Sequence, residues 1–397
     1  MPRGLPVLFV LATLGVAQPP ARLPVFAGDA SIHLMVDIDG TVKSWGEGVY
    51  LSLGDGPKRK GVVISQPRPV AGLGKATSIV FGAKHVLVLM QDGTVMAWGE
   101  NNGCEVGNTE LVPRGRVPCD SPNSANTPVI VTGLSGVVQV AASAGSSGAL
   151  LRDGSVMLWG ALPGPLSVEG YASVRRAVAP ERMEGLTNIT QISLGFEHGL
   201  ALRQDGVILA WGANKEGTIG DGTRDPRLLP VPVKGITSAV WVAAGLNMSA
   251  AVLADGTVRT WGENVNGQLG DPVTNPIDPA RNYRLVPYQV PGIANAKSIQ
   301  IGNGPVIAHL KDGTLRGWGE GYYGGLGNGS SDDFFTRPQI PRGLGPVLAH
   351  YFLTRGSLAV RADGTVMGWG RLDMNTPSGF QRNPVYPVVV FPAGTPR

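Results

Sequence analysis

The stretch ADGTVRTWGENVNGQLGD, residues 254–271, contains an Asp-Gly pair, a short run that ends in Trp-Gly, and a second glycine-rich corner. An Asp-Gly pair between two strand-like runs predicts a β-hairpin, because both central residues of a type I′ turn need positive φ. Nearly the same phrase occurs seven times in the 397-residue chain, and in each copy Trp follows Asp by six residues. The units span residues 39–46, 92–99, 153–160, 205–212, 255–262, 312–319 and 363–370.

The spacing of these units, 50 to 61 residues from Asp to Asp, is typical of repeat architectures. Each repeat holds three short strand-like segments and a fourth segment that contains proline. Because proline cannot donate to a ladder, the fourth segment is expected at the edge of its sheet. The proline segments are residues 65–73, 126–134, 178–186, 228–236, 285–293, 336–344 and 382–390.

Seven units of four strands predict an all-β, single-domain fold, a seven-bladed β-propeller of four-stranded antiparallel blades over residues 18–397. Both faces of a blade press on neighbours, and we expect the repeated tryptophans to fill the space between blades. They are Trp45, Trp98, Trp159, Trp211, Trp261, Trp318 and Trp369. Two closures remain open: whole blades in sequence, with blade 7 packing on blade 1, or a C-terminal proline strand that completes blade 1.

The segment HGLALRQDGVILAWGANKEGTIGDGT, residues 198–223, resembles a repeat of the regulator of chromosome condensation family. The resemblance covers all seven repeats, from about residue 23 to about 391, and it implies a seven-bladed propeller. It also implies two roles: the family includes exported bacterial propellers that inhibit β-lactamases, and its name suggests guanine-nucleotide exchange on a small GTPase with chromatin binding. Because a fold hosts many functions, the resemblance does not choose between them.

The first residues have the pattern of a secretory signal peptide: Arg3, an apolar run from Leu5 to Ala17, and small residues before Gln18. The alternative is a buried first strand. We expect residues 1–17 to be cleaved and the protein to be exported, either extracellular or periplasmic. The run is shorter than the roughly 20 apolar residues that a spanning helix needs, so no stable membrane insertion is expected.

The cysteines predict a disulfide, and the charge distribution bears on whether the partner is a nucleic acid. Cys104 and Cys119 lie in one loop, and in an exported chain such a pair predicts a disulfide ahead of a metal or redox site. The formal net charge is +4, and apart from PKRK at residues 57–60 the basic residues are scattered. Nucleic-acid binding needs a clustered basic surface, so we expect no nucleic-acid partner.

The candidate catalytic and cofactor motifs are incomplete in this sequence, and we expect no cofactor, no metal and no catalytic residue. GLGKAT at residues 72–77 lacks the leading glycine and the Ser/Thr of a phosphate loop. Repetition favours a packing or hydrogen-bonding role for His33, His85 and His198. Four repeats continue Trp-Gly with Glu, which leaves open a polysaccharide lyase or hydrolase that uses paired carboxylates. These residues are Glu47, Glu100, Glu263 and Glu320.

The loop between Trp-Gly and the proline strand differs most between repeats, and topology places all seven of these loops on one side of the ring. Aromatic residues concentrate there, and aromatic anchors dominate the energetics of interfaces. The predicted binding residues are Tyr50, Tyr171, Tyr283, Tyr322, Tyr323, Phe334 and Phe335. We therefore expect a monomeric, non-catalytic propeller that binds a protein partner of unknown identity. The alternatives are the carboxylate enzyme and, more remotely, an exchange factor.

Overall fold

The structure is a computed structural model that describes residues 23–29, 31–47, 53–56, 63–111, 119, 124–166, 172–272, 282–331, 333–353, 356–376, 379–381 and 383–394. The predicted signal peptide, Tyr50 and Tyr171 lie outside these residues. The described chain forms seven four-stranded antiparallel sheets, one after another, with two short 3-10 turns at Thr109–Leu111 and Tyr322–Gly324. The prediction of a seven-bladed propeller is confirmed.

We refer to the four strands of each blade, in chain order, as A to D. Blades 1 to 3 consist of β1 (Val25–Gly28), β2 (Ile32–Val36), β3 (Val42–Glu47) and β4 (Val63–Pro69); β5 (Ala76–Phe81), β6 (His85–Met90), β7 (Val95–Gly99) and β8 (Ala125–Ile130); and β9 (Val137–Ala142), β10 (Ser146–Leu151), β11 (Val156–Leu166) and β12 (Ala172–Arg182).

Blades 4 to 7 continue the pattern. They consist of β13 (Ile189–Leu194), β14 (His198–Arg203), β15 (Ile208–Gly212) and β16 (Arg227–Pro232); β17 (Ala239–Ala244), β18 (Met248–Leu253), β19 (Val258–Glu263) and β20 (Tyr283–Gln289); β21 (Ala296–Ile301), β22 (Pro305–Leu310), β23 (Leu315–Glu320) and β24 (Phe334–Gln339); and β25 (Ala349–Leu353), β26 (Gly356–Val360), β27 (Val366–Gly370) and β30 (Val388–Phe391). A small hairpin, β28 (Met374–Thr376) and β29 (Gly379–Gln381), precedes β30.

The Asp-Gly pairs form the turns between strands B and C. In blade 5 the Asp255 carboxylate accepts hydrogen bonds from the amide and the hydroxyl of Thr257, at 2.8 and 2.7 Å. Of the pair only Gly256 has positive φ, +81°, so the hairpin is confirmed but the turn is not of type I′. The bonds from Thr257 lower the pKa of Asp255. This carboxylate is therefore committed to its own turn, which rules it out as a catalytic acid.

The ring closes with whole blades in sequence, the first of the two closures left open by the sequence. Strand β30 pairs with β27 inside blade 7, and β4 pairs with β3 inside blade 1. Side chains join the two blades: the Tyr351 hydroxyl donates to the Pro24 carbonyl at 2.8 Å, and Phe26 lies 5.6 Å from the Tyr351 ring and 6.4 Å from the Phe391 ring. We call this contact the closing seam.

The strand order divides the connections between the two faces of the disk. Strand A is innermost and strand D outermost, so the A–B and C–D loops share one face, which we call the loop face. The B–C turns and the D–A connections share the other, which we call the turn face. Blade 3 departs from the others, because β11 and β12 continue past Trp159-Gly160 as a hairpin with Leu166 paired to Ala172.

Candidate binding face

Buried hydrogen bonds from the following blade hold the C–D loops of blades 2, 4, 5 and 6 in place. In blade 5 the Trp261 indole Nε1 and the Ser249 hydroxyl both donate to the Thr218 carbonyl of blade 4, at 2.8 and 2.9 Å. His198 of blade 4 lies 2.9 Å from the same hydroxyl through its Nε2. Blades 2 and 3 repeat the arrangement with His85, Ser147, Trp159 and the Glu105 carbonyl.

The tryptophans of the repeat are all buried between blades, with exposed fractions of 4% or less. Trp318 donates to the Gln268 carbonyl at 2.9 Å, and Trp369 donates to the Gly325 carbonyl at 3.1 Å. Each of these acceptors lies in the C–D loop of the preceding blade. These four tryptophans therefore anchor a loop of the preceding blade as well as filling the interface; they are Trp159, Trp261, Trp318 and Trp369.

The glycine-rich corner of the repeat is explained by this contact. Gly220 has φ of +73°, and a Cβ atom built there would lie 2.8 Å from Nε1 of Trp261. Gly107 and Gly270 meet Trp159 and Trp318 in the same way. Only glycine combines the left-handed backbone with this close approach of an indole ring.

The loop face carries an exposed aromatic cluster on blade 6, which we call the blade 6 cluster: Tyr322, Tyr323 and Phe334. The Tyr322 and Phe334 rings meet edge to face at 5.2 Å, and the three side chains are 41%, 37% and 46% exposed. The Arg371 guanidinium lies 5.8 Å from the Tyr323 ring. Phe335, the neighbour of Phe334 on β24, is half-buried instead, because successive side chains of a strand point to opposite sides.

Tyr283 begins β20 of blade 5 and pairs with a cation of blade 4. The Arg224 guanidinium lies 4.6 Å from the centre of the Tyr283 ring and donates to its hydroxyl at 3.3 Å. Of the seven predicted binding residues, the structure thus brings three into one exposed cluster and places Tyr283 and Phe335 in other surroundings. Tyr50 and Tyr171 are outside the described residues.

The loop face also contains the mouth of the central channel. Strands A line a cavity of about 490 Å³ whose wall includes the half-buried side chain of Trp241. At the tips of neighbouring A–B loops, Phe196 and Leu246 are 48% and 47% exposed. Sequence reasoning missed this feature, although Trp241 is the only one of the eight tryptophans outside the repeat position.

The four repeat-spaced glutamates lie at the ends of strands C in four different blades, Glu100 directly after its strand, and three of them have distinct neighbours. Glu100 pairs with Lys84 at 3.0 Å, Glu263 accepts from the Asn247 and Gln268 amides at 3.4 Å, and Glu320 accepts from Asn266 at 3.3 Å. Glu47 is exposed. Within the described residues no group of three or more His, Cys, Asp or Glu side chains could hold a metal ion.

The histidines and cysteines are buried. Burial lowers the pKa of His85 and His198 to about 4, which keeps both rings neutral at physiological pH. Cys104 and Cys119 form a disulfide with a Cα–Cα distance of 5.4 Å, as predicted. No helix in the described part of the chain is long and apolar enough to cross a membrane.

Comparison with curated proteins gives partial matches to eukaryotic proteins. The ultraviolet-B receptor UVR8 of Arabidopsis thaliana is 30% identical over 218 residues, which are 53% of this chain and 46% of UVR8. The human E3 ubiquitin-protein ligase HERC2 is 31% identical over 201 residues, 48% of this chain and 4% of HERC2. The chain therefore matches less than half the length of either relative.

Solved structures and a family model cover far more of the chain. Prp20p of Saccharomyces cerevisiae superposes with a TM-score of 0.74 at 23% identity, over 89% of this chain and 86% of Prp20p. The same yeast protein in its complex with Kap60 gives a TM-score of 0.76 at 21% identity, over 100% and 90% of the two chains. At these identities the likeness concerns the fold. The model of the RCC1-like domain matches residues 41–390, and the chain belongs to this family.

Proposed function

We propose that this protein is a non-catalytic propeller that binds a protein partner through its loop face, with the blade 6 cluster as an anchor. The exposed cluster of Tyr322, Tyr323 and Phe334 beside Arg371 is the observation that carries the proposal. Tyrosine and arginine are enriched among the residues that contribute most to protein–protein affinity. The cluster also rests on β24 and a 3-10 turn, which limits the side-chain entropy lost on binding.

The comparisons support protein binding as the general property. Yeast Prp20p has binding properties toward Gsp1p and histones, and the second yeast structure holds Prp20 with Kap60. The ligase activity in the name of HERC2 belongs to a protein of which this chain matches 4%, so it supports no such activity here. Capture from extract of the native host would identify the partner of this chain.

Export is part of the same proposal. The signal-peptide pattern of residues 1–17 supports it, and so does the disulfide between Cys104 and Cys119, because disulfides persist mainly in oxidising compartments. Expression with the native N-terminus should release a chain that begins at Gln18, as read by N-terminal sequencing of the protein outside the cytoplasm. An uncleaved chain that stays inside the cell would contradict export.

The proposed function is tested by capture of a partner from extract of the native host, with residues 18–397 as bait. The test variant carries Tyr322→Ala, Tyr323→Ala and Phe334→Ala, and the control carries Ile38→Ala and Leu348→Ala, two exposed apolar residues of the turn face. We expect a protein that is retained by the wild type and the control and lost by the test variant, followed by a Kd measured with that protein in pure form.

Two capture results would contradict the proposal. Equal capture by all three baits would move the interface away from the blade 6 cluster. If the wild type captures nothing, the protein-binding proposal fails, and degradation of polysaccharides and nucleotide exchange become the assays to run.

A further inference from the structure

The mouth of the central channel has the dimensions of a ligand site. Its cavity of about 490 Å³ lies within the range of 300–1,000 Å³ that is usual for binding pockets. Phe81, Trp241, Ile301 and Phe352 contribute to its wall, at the end of the channel that opens on the loop face. This wall is largely apolar, so the site favours an apolar group.

Trp241 makes the blade 5 part of the wall different from its neighbours. Gln191, at the same repeat position in blade 4, uses its side-chain amide to satisfy both the carbonyl and the amide of Val242, at 2.8 and 3.0 Å. Trp241 donates to the Ile299 carbonyl at 2.8 Å, but an indole has no acceptor for the Ile299 amide. The substitution puts an aromatic surface in the channel where a glutamine would complete a polar contact.

The rim of the mouth is apolar at blades 4 and 5. Phe196 and Leu246 occupy the tips of adjacent A–B loops and are about half exposed, and the amide of Phe196 donates to the Gly245 carbonyl at 3.1 Å. This bond joins the backbones of the two loops, and both residues line the cavity. Apolar groups at the edge of a pocket are the usual surroundings of an inserted side chain.

Carboxylates flank this rim. Glu197 follows Phe196 and is exposed, and the amide of Glu263 donates to the carbonyl of Asn247, the residue after Leu246, at 2.9 Å. Burial raises the pKa of Glu263, and the charge of Glu216 raises it further. The hydrogen-bond partners of the Glu263 carboxylate are two neutral amides, from Asn247 and Gln268. A cation brought to this position would offset the charge.

We propose that the channel mouth binds a polypeptide segment of the partner that inserts one large apolar side chain between Phe196 and Leu246 and places a flanking lysine or arginine against Glu197 and Glu263. The inference rests on the proposed function, because it assigns the chemistry of the partner segment. It identifies a second contact on the loop face, apart from the blade 6 cluster.

The test uses three acetylated and amidated pentapeptides as probes: one phenylalanine between two pairs of lysines, the same peptide with glycine at the centre, and phenylalanine between two pairs of glutamates. Trp241 is the one tryptophan that is not buried, so acrylamide quenching of the intrinsic fluorescence reports on it. We expect the lysine–phenylalanine peptide to protect Trp241 from acrylamide and the other two to bind roughly tenfold more weakly or less. The quenchable signal should vanish in Trp241→Phe.

Variants locate the site without changing the packing of the ring. Phe196→Ala removes an exposed side chain and Glu263→Gln removes a charge, and each should weaken the lysine–phenylalanine peptide by roughly tenfold. Ile38→Ala on the turn face and the triple variant of the blade 6 cluster should bind it like the wild type. Equal affinity for the phenylalanine and glycine peptides, or wild-type affinity in Phe196→Ala, would overturn the inference.

The same reagents separate this inference from the proposed function. Peptides that fail to bind while the native partner is still captured through the blade 6 cluster would overturn the channel-mouth site alone. Peptides that bind the channel mouth of a protein that captures no partner would overturn the proposed function alone.

Discussion

The hydroxyl groups of Ser249 and Ser357 occupy the same repeat position in blades 5 and 7, but their surroundings differ. Ser249 donates to the Thr218 carbonyl and meets His198, whereas the Ser357 hydroxyl is buried and has no hydrogen-bond partner among the described residues. One partner is missing because blade 6 has Pro305 where blade 4 has His198, so Ser357 meets no histidine. The two serines therefore form a matched pair for mutation.

We expect Ser249→Ala to lower the free energy of unfolding by about 1–2 kcal/mol, since it removes a buried hydrogen bond and leaves the His198 Nε2 without its partner. Ser357→Ala should be neutral or slightly stabilising, because it removes a buried polar group that costs desolvation. Urea denaturation of both variants at neutral pH measures the difference. Equal destabilisation would show that the hydrogen bonds to Ser249 contribute nothing beyond packing.

Acid stability depends on the buried histidines. Burial lowers the folded-state pKa of four of them to about 4, and that of the fifth to about 3, from the usual 6.5; these are His33, His85, His198, His309 and His350. The unfolded chain binds these protons first, so the contribution of the neutral histidines to stability is fully present above pH 6.5 and is lost as the pH falls toward 4. The full effect is about 3 kcal/mol for each ring with a pKa of about 4.

We therefore expect the urea midpoint to fall steeply between pH 6.5 and 4. The His198→Gln variant, compared over the same range, should show a shallower fall, because one proton-linked group is gone. An unchanged slope in this variant would contradict a buried neutral His198.

The recurrence of histidine near the start of strand B was enough to predict a packing or hydrogen-bonding role for His33, His85 and His198, and the last two make such a bond. It could not identify Ser147 and Ser249 as their partners, because the two members of each pair lie in successive blades. Contacts between repeats depend on the register of whole blades, which the sequence pattern of one repeat does not contain.

At the scale of the element, two glycines distinguish the cost of a left-handed backbone from the cost of a clash with the neighbouring tryptophan. Gly220 and Gly235 have nearly the same φ, +73° and +74°, but a Cβ at Gly220 would meet the Trp261 indole at 2.8 Å, while the space around Gly235 is open to 4 Å. Gly235→Ala should cost about 1–2 kcal/mol through the left-handed backbone alone. Gly220→Ala should cost clearly more, as measured by thermal and urea unfolding.

A result in which the two alanine variants are equally stable would mean that the Trp261 ring shifts at no cost. Trp261→Phe in the Gly220→Ala background then provides the control, since removal of the indole nitrogen should relieve part of the clash. The pair thus tests whether corner and tryptophan act as one unit.

The disulfide closes the C–D loop of blade 2. Replacing both Cys104 and Cys119 by serine should lower the free energy of unfolding by about 3 kcal/mol on the chain-entropy estimate for a loop of 15 residues. The far-ultraviolet circular dichroism spectrum should not change, because no ladder of the propeller passes through this bond. Loss of the β-sheet spectrum would show that the fold requires the disulfide.

Sequence periodicity located most elements well, and its errors have local causes. The proline segment of blade 4, residues 228–236, overlaps β16 at Arg227–Pro232. In blade 3 the segment 178–186 misses the start of β12 at Ala172, because the connection continues as a hairpin. In blade 7 the segment 382–390 begins too early, since β30 starts at Val388, immediately after Pro387.

At the scale of the whole molecule, the closing seam holds blade 1 to blade 7 without a strand shared between the two blades. The bond from Tyr351 to the Pro24 carbonyl is buried, and burial raises the pKa of the Tyr351 hydroxyl. Tyr351→Phe should cost about 1 kcal/mol and increase hydrogen exchange in β1 ahead of the other blades. Tyr288→Phe on the outer strand of blade 5 is the control, and equal exchange in both variants would show that the seam does not open locally.

The channel mouth could not be derived from one repeat, because the cavity exists only when seven A strands meet. Trp241 departs from the repeat in the sequence, but only the assembled ring places it beside Phe81, Ile301 and Phe352. The surface partition into a loop face and a turn face, by contrast, follows from strand order alone. Fold and faces were therefore predictable, and the chemistry at the centre was not.

The way the ring closes also determines how the molecule should respond to mechanical force. The described strands of blades 1 and 7 share no ladder, and their contact includes aromatic and aliphatic side chains and the bond from Tyr351 to Pro24. In an optical-tweezers experiment that pulls these two blades apart, the seam should yield first and by a small extension, because a side-chain contact ruptures before several backbone hydrogen bonds are sheared together. When the force is released, the seam should re-form without refolding of any blade, so the ring opens and closes reversibly.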